Sequence, residues 1–64
     1  MTVQEAIDAL NEIPDKSVPF IITDSRSGAA EEISSIRPSE IREVDTQYAI
    51  DYPVGSPVAR AHIG

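Results

Sequence analysis

The fold is decided at the start of the chain, by residues 2–14: Thr2-Val3-Gln4-Glu5-Ala6-Ile7-Asp8-Ala9-Leu10-Asn11-Glu12-Ile13-Pro14. Thr2 followed three residues later by Glu5 has the pattern of a capping box, in which each side chain bonds the backbone N–H of the other residue. Apolar residues then recur at helical spacing, and Pro14 pushes the residue before it out of the helical conformation. The sequence therefore predicts a helix from about Val3 to about Glu12.

The predicted helix has an apolar face and an acidic face. On a wheel of about 100° per residue, Glu5, Asp8 and Glu12 lie opposite the apolar residues Val3, Ala6, Ile7, Leu10 and Ile13. At about 1.5 Å rise per residue, these three carboxylates form a line roughly 10 Å long. Such a line can occupy a basic groove that normally holds phosphates. The solvent-facing side of any amphipathic helix has the same appearance, so both interpretations stay open.

The residues after the helix predict strands. The stretch 14–17 has Pro followed by Asp, the chemistry of a turn, and 18–23 is rich in β-branched and aromatic residues, which is typical of a strand. Pro19 belongs at the start of that strand or on an edge. Apolar and polar residues alternate along 47–52, which predicts a second strand that ends at Pro53.

Two parts of the chain carry weaker signals. Within residues 28–36, the stretch 30–36 fits a strand that forms a hairpin with the first strand, whereas 28–36 fits a short helix capped by Ser27, and we favour the strand. Pro38 is expected to end either structure. The last residues, 55–64, begin with a Gly-Ser-Pro linker, and we expect them to form a flexible tail, as chain ends usually do.

These elements predict an α+β fold in which the N-terminal amphipathic helix packs on a small antiparallel β-sheet of about three strands. With 64 residues, the chain is expected to form a single small domain, 1–64. The predicted core contains one or both tyrosines of the last strand and the following residues: Val3, Ile7, Leu10, Ile13, Phe20, Ile22, Ile33, Ile36 and Ile50.

Composition limits the classes of partner. The formal net charge is −6, from 11 Asp and Glu against 5 Lys and Arg, and such a surface repels nucleic-acid phosphates and anionic lipid. We expect a partner protein with a basic surface, no direct nucleic-acid binding and no membrane. A chain without cysteine, a signal peptide or a long apolar run is expected to be cytoplasmic.

Small size favours self-association. A chain this short buries only about 60% of its unfolded surface, so small domains commonly depend on disulfides, a metal or a partner subunit. The absence of Cys excludes disulfides, and a single His, His62, makes a metal site unexpected. We therefore favour a homo-oligomer, such as a homodimer, over a monomer.

No residue pattern predicts catalysis, so we expect that the chain is not an enzyme and has no cofactor. His62 is placed in the predicted tail, and 24–28 lacks the ligand spacing of a Ca²⁺ loop. The candidate residues are instead partner-binding ones: the acidic side chains Glu5, Asp8, Glu12, Asp24, Glu31 and Glu32, with Tyr48 and Tyr52 as contacts that serve either an interface or the core.

The first 24 residues resemble a loose class of small phage and prophage accessory proteins. The resemblance rests on Met1 to Leu10, on the turn Ile13-Pro14-Asp15, and on Val18 to Asp24. Proteins of that class begin with such a helix, a Pro-Asp turn and a hydrophobic strand. The resemblance implies a phage accessory protein, a class that includes inhibitors of host enzymes and of host defence systems, and it assigns no functional residue.

Three hypotheses follow from the sequence. The first is an acidic inhibitor or regulator, phage-derived, that covers a basic site on a larger host protein such as a defence or nucleic-acid enzyme. The alternative is a structural or assembly module that self-associates without inhibitory activity. The third, a small enzyme or ligand binder, has no supporting residue pattern.

Overall fold

One helix and three strands make up the regular structure of the described residues. The computed structural model describes residues 1–23, 30–46, 48 and 51–64. Helix α1 (Val3–Asn11) comes first, and strands β1 (Phe20–Thr23), β2 (Ile33–Glu40) and β3 (Pro57–Ile63) follow. The predicted α+β class is confirmed. Within the described residues, no helix has both the length and the apolar character that are needed to cross a membrane.

Helix α1 is capped at both ends. The backbone N–H of Glu5 donates to Thr2 Oγ1 at 3.2 Å, and the backbone N–H of Thr2 donates to Glu5 Oε1 at 3.0 Å, which is the predicted capping box. At the other end, Lys16 Nζ donates to the carbonyl oxygens of Ile13 at 2.6 Å and Asn11 at 3.2 Å. A cation at this end also complements the helix dipole.

The helix is rotated relative to the predicted orientation. Its half-buried residues include Ala6 and Ala9, and it packs on β2. Because alanine side chains are small, they let the helix backbone approach the sheet and set the line of contact. Val3 is 79% exposed and Ile7 is also exposed, so the prediction that these two residues lie in the core was wrong.

The sheet is mixed, with β3 at its centre. The strand order is β1-β3-β2, and β3 pairs in parallel with β1 and antiparallel with β2. Only the pairing with β2 therefore matches the predicted antiparallel sheet. The predicted flexible tail was also wrong, because residues 57–63 of that segment form the strand to which both neighbours are bonded.

Each face of β3 is covered by a different part of the chain. On the helix face, Ala59 and Ala61 are buried near α1. On the opposite face, which we call the loop face, Val58 forms a core cluster with Ile21 and Ile41. Because both faces are buried, β3 lacks the alternation of apolar and polar residues that marks a half-exposed strand.

Strand β1 buries a different side chain from the two that were predicted to lie in the core. Ile21 is buried on the loop face, whereas Phe20 is 51% exposed and Ile22 is 41% exposed. Phe20 and Ile22 share the helix face with Ala59 and Ala61 through the parallel register. Helix α1 packs over β2 and leaves them uncovered, so their assignment to the core was wrong.

Two strand predictions had different outcomes. The favoured strand within residues 28–36 exists from Ile33 onward, and it continues through Pro38 to Glu40, so Pro38 does not end it. Its predicted hairpin with the first strand was wrong, because β3 lies between β1 and β2 and β2 pairs with β3. This is possible because β2 is an edge strand, where the missing N–H of a proline can face away from the neighbouring strand. Residues 28 and 29 lie outside the described part.

The predicted strand at 47–52 was wrong for its described residues. Tyr48, Asp51 and Tyr52 lie in turns, and the backbone N–H of Tyr52 donates to the carbonyl oxygen of Tyr48 at 2.9 Å, across four residues. Gln47, Ala49 and Ile50 lie outside the described part, including the core assignment of Ile50. Both tyrosines pack against the cluster on the loop face.

The loop-face cluster predicts a contrast between two nearby residues. Ile41 is 1% exposed within the cluster, whereas Val44 is 82% exposed. We expect Ile41→Val to lower the free energy of unfolding by about 1 kcal/mol, because a buried methyl group is lost and a cavity remains. Val44→Ala should change it by less than about 0.5 kcal/mol. Urea denaturation followed by circular dichroism measures both, and equal losses would contradict the assignment of the cluster.

Candidate functional site

A charged pair is buried on the loop face of the sheet. Arg60, on β3, is 2% exposed, and its Nη1 donates to Asp45 Oδ1 at 3.1 Å while its Nη2 also bonds Asp45. Arg60 Nε donates to Ser39 Oγ at 2.9 Å, and Nη2 donates to the carbonyl oxygen of Glu40. This two-pronged pairing of Arg with a carboxylate is the strongest geometry available to such a pair.

The pair is neutral and satisfied, which makes it structural. The hydrogen bond from Arg60 holds the pKa of the Asp45 carboxyl below its ordinary value, and the backbone N–H of Arg42, which donates to Asp45 Oδ2 at 2.9 Å, contributes to the same shift. No buried side-chain nitrogen or oxygen among the described residues lacks a partner. Arg60 is therefore fully used in holding residues 39–45 to β3.

Burial of this pair makes the surface more acidic than the composition indicates. In the described part of the chain, nine carboxylates are exposed against three basic side chains. The exposed basic residues are Lys16, Arg37 and Arg42, and the exposed acidic residues are Glu5, Asp8, Glu12, Asp15, Glu31, Glu32, Glu40, Glu43 and Asp51. Carboxylates thus outnumber cations by three to one on this surface, compared with ten to four among all the described residues.

The predicted acidic line on α1 is exposed. Glu5, Asp8 and Glu12 are all accessible to solvent. Hydrogen bonds with Thr2 lower the pKa of the Glu5 carboxyl. The bond with the backbone of Thr2 has the largest effect, and the bond with its side chain has the next largest. Gln4 Nε2 donates to Asp8 Oδ1 at 2.9 Å. Glu5 therefore has a structural role in the cap, whereas the structure gives Glu12 no such bond.

One of the remaining acidic candidates lies close to this line. Glu31 and Glu32 are exposed just before β2, and Glu32 Oε2 is 3.3 Å from the N-terminal ammonium of Met1. Because Thr2 bonds Glu5, this contact brings Glu32 to the same end of α1. Asp24 lies outside the described part of the chain.

The two tyrosines are separated from the acidic line. They pack on the loop face, and the hydroxyl of Tyr48 donates to the carbonyl oxygen of Ile22. Since α1 packs on the other face, Tyr48 and Tyr52 do not form one surface with Glu5, Asp8 and Glu12. The sequence-based candidates are thus divided between two sides of the sheet.

His62 is an ordered residue of β3 and not part of a tail. It is half-buried, its Nδ1 is 3.1 Å from Thr23 Oγ1, and its carbonyl oxygen accepts from Ser34 Oγ at 3.1 Å. Among the described residues, no group of His, Cys, Asp and Glu side chains is arranged to hold a metal ion. These contacts tie the end of β3 to both neighbouring strands.

A groove with a volume of about 210 Å³ lies between the end of α1 and the start of β1. It is lined by Leu10, Ile13, Asp15, Lys16, Val18, Phe20 and Ala59. The groove could not be predicted from the sequence, because its sides come from two separate elements and Ala59 belongs to the segment that was predicted to be a tail. The exposure of Phe20 follows from this groove.

Comparison with family models, with curated proteins and with solved structures gave no match.

Proposed function

We propose that the chain is an acidic protein-binding module that inhibits or regulates a larger protein by covering a basic site on it. The observation that carries the proposal is the surface charge: nine exposed carboxylates against three basic side chains in the described part. Charge of one sign raises the rate of encounter with a surface of the opposite sign. It also keeps phosphates and acidic proteins away.

The distribution of the basic residues supports this function. Arg60 is neutralised by Asp45 in the interior, and the ammonium of Lys16 bonds two backbone carbonyls. Arg37 and Arg42 belong to β2 and to the segment after it, whereas the acidic line is on α1. Helix α1 has no basic residue and exposes Glu5 and Asp8, with Glu12 directly after it, and a basic site that binds phosphates has the complementary charge.

The resemblance of the first 24 residues to phage accessory proteins points to the class of partner. Under this proposal, the partner is a host enzyme of nucleic acid or of defence, because such enzymes hold phosphates in basic grooves. An acidic module of 64 residues would cover such a groove without any chemistry of its own.

A capture experiment tests the proposal. The immobilised chain is incubated with a bacterial lysate at about 50 mM salt, where charges interact over more than about 10 Å, and is washed at about 1 M salt, where they are screened within about 3 Å. We expect a protein that is retained at low salt, released at high salt, and displaced by double-stranded DNA or heparin. The purified protein should lose its nucleic-acid binding when the chain is added. Retention that polyanions do not affect would contradict the proposed basic site.

Matched charge reversals locate the surface that binds. The double variant Asp8→Lys and Glu12→Lys changes the acidic line, whereas Glu40→Lys and Glu43→Lys makes the same change in net charge elsewhere on the exposed surface. We expect the first to weaken capture at least tenfold and the second to weaken it less than threefold. Equal losses would mean that net charge, and not the side of α1, determines binding.

Self-association is a second candidate function, favoured by exposed apolar side chains. Val3 and Ile7 are exposed on α1, and Phe20 and Ile22 are exposed on one face of β1, and exposed apolar side chains can form an interface between two copies. Sedimentation velocity at micromolar and millimolar concentrations separates the two functions. A closed dimer would support the assembly module, and a monomer throughout this range would remove it.

A further inference from the structure

We propose that the groove between α1 and β1 is the anchor site of the module, which receives one apolar side chain of the partner from a segment whose neighbouring residues are Lys or Arg. This inference rests on the proposed function and adds the chemistry of the recognised segment. The surface charge brings a basic partner close, and the groove gives the contact its position and specificity.

The size of the groove limits its occupant. Its volume of about 210 Å³ is below the roughly 300 Å³ at which small-molecule sites begin. Leu10 of α1, Ile13 just after the helix, and Val18 and Phe20 from the strand side make the lining predominantly apolar. A single Leu, Ile, Met or Phe side chain suits such a space better than a metabolite or a phosphate does.

The apolar surface continues beyond the groove on the helix. Ile7 precedes Leu10 by three residues and is exposed, so both lie on the same side of α1. Of these two residues, Leu10 lines the groove together with Phe20 of β1, whereas Glu5, Asp8 and Glu12 are not part of the lining. A partner segment in the groove would therefore also contact apolar atoms of the helix at Ile7.

The charged groups of the groove favour a basic segment. Asp15 accepts hydrogen bonds from the hydroxyl of Ser17 at 2.6 Å and from its backbone N–H at 2.9 Å. Both bonds lower the pKa of the Asp15 carboxyl and keep it ionised, and the bond from the hydroxyl has the larger effect. The other charged residue, Lys16, directs its ammonium to the carbonyl oxygens at the end of α1. Asp15 is thus the lining charge that is left to pair with a partner, and it selects Lys or Arg beside the apolar side chain.

Three synthetic peptides test the inference on the full chain. One has Leu between two pairs of Lys, the second has Ser in place of Leu, and the third has Leu between two pairs of Glu. Binding is followed at about 50 mM salt through the backbone amide resonances of the ¹⁵N-labelled protein. We expect the Leu-Lys peptide to shift the resonances of the groove residues and to bind about tenfold more tightly than either of the others, since burial of one Leu side chain is worth at least this factor.

Matched variants assign the binding to the groove. Phe20→Ala removes a lining side chain, whereas Ile22→Ala removes a side chain of the same strand and face that is not part of the lining. Both residues are exposed, so both variants should fold. We expect Phe20→Ala to weaken the Leu-Lys peptide about fivefold or more and Ile22→Ala to weaken it less than twofold. Asp15→Asn, which keeps an acceptor for Ser17, should reduce the preference for Lys over Glu in the peptide.

Several outcomes would overturn the inference. Equal binding of the Leu-Lys and Ser-Lys peptides, with shifts on the acidic line, would exclude the groove and leave the proposed function standing. Equal binding of the Leu-Glu peptide would exclude a basic segment. Shifts of groove resonances on dilution of the protein alone would identify a second copy as the occupant. Failure of the capture experiment, by contrast, would remove the proposed function itself.

Discussion

A chain that ends at Ser56 is expected to lose cooperative folding completely. Strand β3 is the one to which both β1 and β2 are bonded, so its removal leaves two strands that have no partner. The truncation also removes Val58 from the core and Arg60 from its pair with Asp45. A domain of this size has only about 3–10 kcal/mol of stability, and the loss of a central strand exceeds that.

Circular dichroism and amide resonances would show the result. We expect the truncated chain to have no thermal transition and to have amide proton shifts that cluster in a narrow range. Removal of Gly64 alone is the matched control, since Gly64 is exposed and makes only a 3.4 Å backbone contact with Glu32. This control should melt within a few degrees of the full chain. A cooperative transition in the chain that ends at Ser56 would refute the central role of β3.

The N-terminal helix could be predicted because its signals are local. The capping box and the proline that follows the helix all lie within residues 2–14, and they act through the backbone of neighbouring residues. The orientation of the helix could not be predicted in the same way. It depends on how closely Ala6 and Ala9 approach β2, and this approach is a tertiary contact.

The strands show the limit of periodicity. Residues 47–52 alternate as a strand does, yet the described tyrosines there lie in turns and pack on the loop face. Residues 57–63 have no such alternation, because both faces of β3 are covered. The groove beside α1 lies on one face, and Ile41, Tyr48 and Tyr52 pack on the other. The sequence of a buried central strand therefore predicted a tail, and the alternation of apolar and polar residues along 47–52 predicted a strand.

The candidate site was predicted in part. The exposure of Glu5, Asp8 and Glu12 follows from helical geometry, and the structure agrees. The pairing of Arg60 with Asp45 joins residues 15 positions apart, and sequence spacing gives no indication of it. The groove could not be predicted from the sequence for the same reason, since it depends on the parallel register that places Ala59 beside Phe20.

The second large effect is expected from Asp45→Ala. Arg60 would remain 2% exposed without its carboxylate partner, and an unpaired buried charge costs about 3 kcal/mol or more. We expect the free energy of unfolding to fall by about 3 kcal/mol. Denaturation in urea, followed by circular dichroism, measures the change.

Two further variants distinguish the buried pair from a general loss of charge. Asp51→Ala removes an exposed carboxylate from a turn and should change stability by less than about 0.5 kcal/mol. Asp45→Ala combined with Arg60→Met removes both charges and should recover part of the lost stability, because an apolar side chain carries no penalty for burial without a partner. If the double variant is less stable than Asp45→Ala, the cost comes from lost packing and not from the charge.

Acid titration gives an independent measurement of the same pair. Arg60 lowers the pKa of Asp45 below its ordinary value of 3.8, so the unfolded chain binds the proton more tightly than the folded chain does. The resulting stability is fully present above that unfolded value and is lost as the pH falls through the lower pKa of the folded state. Glu5 and Asp15 have lowered pKa values as well, so some acid sensitivity must remain in any variant of Asp45.

We therefore expect the difference in unfolding free energy between the native chain and Asp45→Ala to be constant above about pH 5 and to shrink below about pH 4. A difference that stays constant from pH 7 to pH 2 would show that the Asp45 carboxylate contributes nothing through its charge.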